Sequence, residues 1–433
     1  MKHWVQIFCA LLWNWVASGP IFGFAALKPV LVSQGVYAEM CSAEEQNCAA
    51  QDLKLNAMFT VAAAFNSVCA VAVGYTLDHK GPRACGYIGS VFIAAGTLLF
   101  ANAAEISKVD AYMCGYTLLG IGGTYVFISS FHLMNATPEH AGKVLAAFSG
   151  VFDSSAALYM FYRLYYEKVK PLSLHTFFSV YLVVPIFIVL CEFFVMPTKS
   201  YRREKVSIEQ LPTEHTHMND IDRMLPGQTA KQQLKSPWFW LIMLYAVLGM
   251  LRLNYFISTV RSQETYLLNS VALGDQLGSF FDVALPIGGI VACPFVGLLL
   301  DNFRTLTALE ILCAISVTIG TLGLFPSYAL NVVGILLFVV YRPFFYTMIS
   351  NLSMRAFGLE TFGTVYGVII TSAGILNMLQ VLVDRTTRSV FRMNPTPLNT
   401  VLTLSTAVVA YFLVTFARRS VQSRVLGEHT TLV

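Results

Sequence analysis

The turn Gly74-Tyr-Thr-Leu-Asp78-His-Lys80-Gly81-Pro82-Arg83 returns, shortened, as Gly297-Leu-Leu-Leu-Asp301-Asn-Phe-Arg304, with both glycines and both aspartates 223 residues apart. Each copy closes an apolar run long enough to cross a bilayer, which takes ~20 residues for ~30 Å of hydrocarbon. A weaker echo sets Ala141-Gly142-Lys143-Val144 against Phe362-Gly363-Thr364-Val365 at an offset of 221. Matched motifs at matched places predict a duplicated, all-α membrane protein made of two pseudo-symmetric six-helix bundles.

Working outward from the repeat, apolar runs near 4–32, 53–77, 84–103, 109–133, 142–166, 172–196, 236–262, 275–300, 305–325, 328–351, 359–383 and 397–417 give twelve transmembrane helices. Outer-membrane strands would be ~10 residues long with strict alternation, and runs such as Val332 to Val340 do not alternate. The composition agrees, since 56% of residues are hydrophobic and only 12% charged, about half the charged share of a soluble protein. The run from Trp4 to Val32 exceeds the apolar region of a signal peptide and reads as the first span.

The long polar stretch Pro197 to Ser236 divides the chain six plus six. The expected organisation is an N-terminal bundle over 1–196, a cytosolic linker over 197–235, a C-terminal bundle over 236–417 and a cytosolic tail over 418–433. With the N-terminus inside, sixteen of the 28 Lys and Arg residues fall on the cytosolic side, whereas Arg385, Arg388 and Arg392 fall together in one loop on the other. Cys41 and Cys48 then lie in a non-cytosolic loop, where an oxidising compartment would permit a disulfide. The sequons at Asn135 and Asn351 face the cytosol and are not expected to carry glycan.

Several functions are excluded by what the residues do not form. A net charge of +4 without a basic face leaves nucleic-acid binding without an electrostatic footprint. The nine cysteines show no zinc spacing, so neither a metal nor a cofactor is expected. With no Gly-x-Ser-x-Gly elbow, no HExxH and no Walker sequence, the chain reads as neither a hydrolase nor an ATP-driven pump.

In the repeated turn, the glycine admits a close neighbour, the aspartate can accept from amides at a helix N-terminus, and the arginine can pair with it. Gly74, Asp78, Arg83, Gly297, Asp301 and Arg304 are therefore expected to form a cytosolic gating latch rather than to bind a solute. The ordinary alternative is a tight turn between helices. The stretch Gly74 to Arg83 resembles the signature of the major facilitator superfamily. Other stretches are similar to solute carrier family 43 and its fungal and protist relatives: Gly19-Pro-Ile-Phe-Gly23-Phe-Ala-Ala-Leu-Lys28-Pro with Glu39-Met-Cys41, Gln51-Asp-Leu-Lys-Leu-Asn56-Ala-Met-Phe59, Gly150-Val-Phe152-Asp153-Ser154-Ser155-Ala156, and Tyr341-Arg342-Pro343-Phe344-Phe345-Tyr346. The second signature copy lacks the Gly-x-Arg ending. The resemblance implies the major facilitator fold and facilitative transport of a neutral amino acid by alternating access, with one branch of the family handling purine nucleobases. A proton-coupled carrier of another small metabolite, and a transporter-like sensor without flux, are the alternatives.

Ionisable groups within spans cost several kcal/mol unless paired or wetted, so each is a candidate. Asp153 lies near the middle of the fifth helix and reads as a ligand for an amino group, a proton carrier or half of a buried pair. Arg252 and Arg342 are the cations available to a substrate carboxylate, with a structural salt bridge as the equal alternative, and Asp282 and Glu310 read as pairing groups. Gly19 and Gly23 in helix one and Gly122 in helix four, beside Gly120 and Gly123, either free backbone groups for a solute or thin the faces for packing. The expected partners are a small solute, an amino acid by the resemblance, and the lipid bilayer. The chain is taken as a monomer in the plasma membrane or an endomembrane such as a vacuole.

Overall fold

Every backbone N–H and C=O at membrane depth needs a partner, and helices supply one within each segment. The computed structural model describes residues 2–41, 48–106, 108–137, 141–198, 201, 221, 224–225, 228–358 and 361–431; some side chains within them, including those of Asp78 and Asp301, lie outside the description. Among the described residues, ten helical segments are long and apolar enough to cross a membrane: α1 (His3–Ser33), α2 (Ala49–Leu77), α3 (Pro82–Ala101), α4 (Ala111–Ser130), α6 (Leu174–Phe194), α7 (Pro237–Leu268), α9 (Thr305–Leu322), α10 (Tyr328–Phe357), α11 (Thr364–Ser389) and α12 (Thr396–Ser423). An eleventh, α8 (Val271–Ala292 and Pro294–Leu300), bends by 42° at Pro294, where the proline ring removes a helix bond. The fifth position is filled by α5, split into Ala141–Ser154 and Ala157–Lys168. The result is six helices on each side of the central polar stretch, as the repeat predicts.

Breaks follow the local sequence. Gly19 and Pro20 interrupt α1, which passes through a tight 3₁₀ turn at Pro20–Gly23 before resuming. The Tyr116 hydroxyl, itself buried, donates to the buried carbonyl of Ile21 at 2.7 Å, so the break leaves no orphaned acceptor there. The C-terminal boundary differs from expectation. The last helix continues to Thr431, through the residues taken as a tail. Hydropathy ends at 417, but nothing after it stops a helix: Arg418 and Arg419 are good helix formers, and Arg418 pairs with Glu310 at 2.8 Å. In the linker, the short helix Ala230–Gln233 is held by Gln233, which donates to the Phe357 carbonyl at 2.9 Å and accepts from Thr361 at 2.6 Å.

The bundles meet along two helix pairs, α2 with α11 and α5 with α8. Each crossing is thinned by one glycine. A Cβ on Gly289 of α8 would meet that of Asp153 on α5 at 2.3 Å, and one on Gly374 of α11 would meet that of Ser67 on α2 at 2.6 Å. Asp153 and Gly374 are 221 residues apart and Ser67 and Gly289 are 222 apart, so the two crossings are pseudo-symmetric mates with the glycine on opposite sides. Toward the linker side, the nearest described neighbour of an added Cβ at Gly367 is Val71 at 3.9 Å, and no described residue lies within 4 Å of one at Gly74 or Gly297.

Close packing inside the N-terminal bundle is concentrated between α3 and α4. A Cβ on Gly96 would meet the Gly115 carbonyl at 2.7 Å, and one on Gly122 would meet Ile93 at 2.6 Å and the Gly89 carbonyl at 2.8 Å. We expect Gly96→Leu to lower the thermal midpoint of the purified protein, at a cost of about 1–3 kcal/mol for overpacking. Gly297→Ala, whose added Cβ meets no described residue within 4 Å, should leave the midpoint unchanged or raise it. A scan in detergent with both variants unfolding alike would contradict this packing.

Candidate functional site

The midpoint of the molecule is marked by an ion pair between the halves. Arg342 on α10 donates through Nη1 to Oδ1 of Asp153 on α5, with 1% and 6% of the two residues exposed. The guanidinium carbon lies 4.7 Å from the ring centre of Phe22, in the 3₁₀ turn of α1, and 5.8 Å from that of Tyr346. Such cation–π contacts hold the plane of the guanidinium without consuming its donors. Arg342 Nε and Nη2, which form the other edge, have no hydrogen-bond partner among the described residues. This is the edge that grips a carboxylate, or a similar pair of acceptors, with two parallel bonds.

On the side of the first loop, two charge networks join the halves. Lys28 of α1 contacts Asp52 at 2.5 Å and Asn56 at 2.8 Å on α2. Arg388 of α11 contacts Asp52 and, at 2.8 Å, its own neighbour Asp384, which accepts from Asn56 at 2.6 Å. Opposite it, Asp282 on α8 accepts from Arg163 of α5 at 2.6 Å and from Arg261 of α7. These networks tie the halves together on this side.

Several expectations change here. Arg388 is no loop residue; it lies in α11 with its side chain 7% exposed and paired with Asp52 of α2. Gly19 and Gly23 serve packing, since a Cβ on Gly19 would meet the Phe152 carbonyl at 2.9 Å and one on Gly23 the Ala156 carbonyl at 2.5 Å. Gly122 belongs to the α3–α4 contact and is away from the Arg342 pair. Asp153 and Arg342, expected as separate candidates, come together. Arg252 does not join them; it binds Ser316 within the C-terminal bundle. The side chains of Asp78 and Asp301 lie outside the description, and with them the latch. Arg83 donates to the Met196 carbonyl at the end of α6, and Arg304 is exposed at the start of α9. Cys41 and Cys48 are bonded to each other. The sequence reading missed the gate residues Lys28, Asp52, Asn56, Arg163, Arg261, Asp384 and Arg388. Their one visible signal is charge or amide inside an apolar run.

No protein-family model matches the chain. It is 42% identical to Protein FMP42 of Saccharomyces cerevisiae, over 98% of this chain and 97% of that one. It is 20% identical to equilibrative nucleobase transporter 1 of Bos taurus over 90% of each chain. It is 25% identical to large neutral amino acids transporter small subunit 3 of Mus musculus, over 41% of this chain and 34% of that one. Among solved structures, a D-xylose–proton symporter superposes with a TM-score of 0.68 over 95% of this chain and 97% of its own, at 12% identity.

The gate makes a prediction of its own. Arg388→Gln leaves Asp52 and Asp384 short of a cation in a buried site, a loss on the order of 3–5 kcal/mol. A cysteine at Ser258, below the gate and in a background without reactive thiols, should then react severalfold faster with an impermeant maleimide applied from the first-loop side. An unchanged rate would show that these charges do not hold the gate.

Proposed function

The chain belongs to the family of the yeast Protein FMP42 and shares the fold of a D-xylose–proton symporter, and from that premise we propose that this integral, multi-pass membrane protein is a carrier of the major facilitator type, not an enzyme, moving a neutral amino acid down its gradient by alternating access. The observation that carries the reading is the free edge of Arg342. A zwitterion brings two charges into a low-dielectric site, and leaving either unmet costs several kcal/mol. Arg342 Nε and Nη2 suit the carboxylate, and Asp153, already ionically bound to the same guanidinium, suits the amino group. The site thus holds its own internal pair when empty and exchanges part of it for the two ends of the solute. Phe22 and Tyr346 flank the guanidinium and supply apolar surface for a side chain.

A second reading is a purine nucleobase carrier. It is favoured by the full-length similarity to the bovine nucleobase transporter and by the chemistry of the same edge, because two parallel N–H donors also match a ring nitrogen beside a carbonyl. Aromatic rings on both sides suit a flat solute equally well.

Counterflow in proteoliposomes separates the two. We expect labelled large neutral amino acids to exchange, their decarboxylated analogues not to exchange, and net uptake to survive collapse of the proton gradient. Asp153→Asn and Arg342→Lys should each lower uptake at least tenfold, about 1.4 kcal/mol or more, in protein that still purifies as a single species. Exchange of a nucleobase in place of an amino acid would install the second reading. Uptake abolished by a protonophore, with Asp153→Asn still able to exchange substrate, would instead make Asp153 a proton carrier.

A further inference from the structure

The C-terminal bundle contains a cavity of about 70 Å³ whose lining comes from α7, α9, α10, α12 and the turns beside them, with no residue of the N-terminal half. It therefore lies off the path between the bundles. Arg252 of α7 stands at one end, where its Nη1 donates to the Ser316 hydroxyl at 3.0 Å and its Nη2 to the Ser316 carbonyl at 3.1 Å. Both partners are neutral. No carboxylate among the described residues pairs with it. Glu264, which lines the far end, is about 18 Å further along the same helix and accepts from Asn331 at 2.6 Å. Glu310 is held by Arg418.

The hydroxyls of Tyr245 and Tyr341 lie near this cation and within reach of each other, buried with 0% and 4% of the residues exposed; Tyr341 also reaches Ser316, and Tyr245 reaches Cys313. Gly320 completes the arrangement, because a Cβ there would lie 2.7 Å from Arg252 Nη2. The bundle has thus made room for a guanidinium at membrane depth, surrounded it with hydroxyl donors and given it no counter-charge. A lone cation in such a place costs several kcal/mol, and neutral hydroxyls do not cancel its charge.

We propose that Arg252, Ser316, Tyr245 and Tyr341 form a binding site for a small monovalent inorganic anion of the size of chloride, separate from the solute site at Asp153 and Arg342. At roughly 10–15 Å³ for each water, about 70 Å³ holds about five to seven waters or one hydrated halide. The anion neutralises Arg252 and ties α7, α9 and α10 together.

The test uses the full-length protein purified without chloride, at constant ionic strength, with gluconate as the replacement anion. Chloride or bromide should raise the thermal midpoint along a saturating curve. Arg252→Gln should abolish that rise, and Tyr341→Phe should weaken it at least fivefold in apparent affinity. Bromide-soaked crystals should show an anomalous peak within contact distance of the Arg252 guanidinium. Equal midpoints in chloride and gluconate, or an undiminished rise in Arg252→Gln, overturn the site. Should Arg252→Gln fail to fold, Tyr341→Phe and the bromide peak decide alone, and a cavity holding only water at high bromide overturns it.

Discussion

Neither Asp153 nor Arg342 could stay at the centre of this molecule without the other. One belongs to each half, both are buried, and the penalty for an unpaired charge in hydrocarbon exceeds what any single packing contact returns. The pair therefore fixes the register in which two bundles of similar shape meet. It also forces a compromise on the site: the charges must be tight enough to survive without a solute and loose enough to be divided by one. The unpartnered Nε and Nη2 edge of Arg342 resolves this, since a ligand can be gripped there before the bond to Asp153 is disturbed.

The same rule organises the rest of the charge in the membrane. Lys28, Asp52, Asp384 and Arg388 form one network and Arg163, Arg261 and Asp282 another, each drawing on both halves. Buried ion pairs add little net stability, and their retention fits a role in holding one of two alternative arrangements. Arg252 and Glu264 depart from the rule, each being met only by neutral groups among the described residues.

How much was legible in the sequence depended on whether the signal was local. The repeat of Gly74 and Asp78 at Gly297 and Asp301, and the twelve apolar runs, carried the architecture because hydropathy and helix length are properties of a single segment. The broken first helix was readable for the same reason, through Gly19 and Pro20. Partnerships were not. Asp153 and Arg342 were both visible as charges out of place, yet their pairing spans 189 residues, and the link from Asp52 to Arg388 spans 336. Arg388 was misread as a loop residue because its neighbours Arg385 and Arg392 are polar too, and only burial against α2 separates its role from theirs. Gly19, Gly23 and Gly122 show the converse limit, since a glycine that exposes backbone and one that is pressed against backbone look identical in a sequence.

The two glycine crossings, Gly289 on Asp153 and Gly374 on Ser67, have a mechanical meaning. Each pair is a lever whose arms run 10–12 residues toward the linker and 15–18 toward the first loop, or ~17 Å against ~25 Å. A rigid rotation of about 15°, ordinary for packed bodies that switch, displaces the two tips by about 4 Å and about 6 Å in opposite directions. The longer arms make the first-loop mouth travel further than the linker mouth. The fulcrum itself travels hardly at all, so the Asp153 and Arg342 charges keep their company while both ends of the passage trade places.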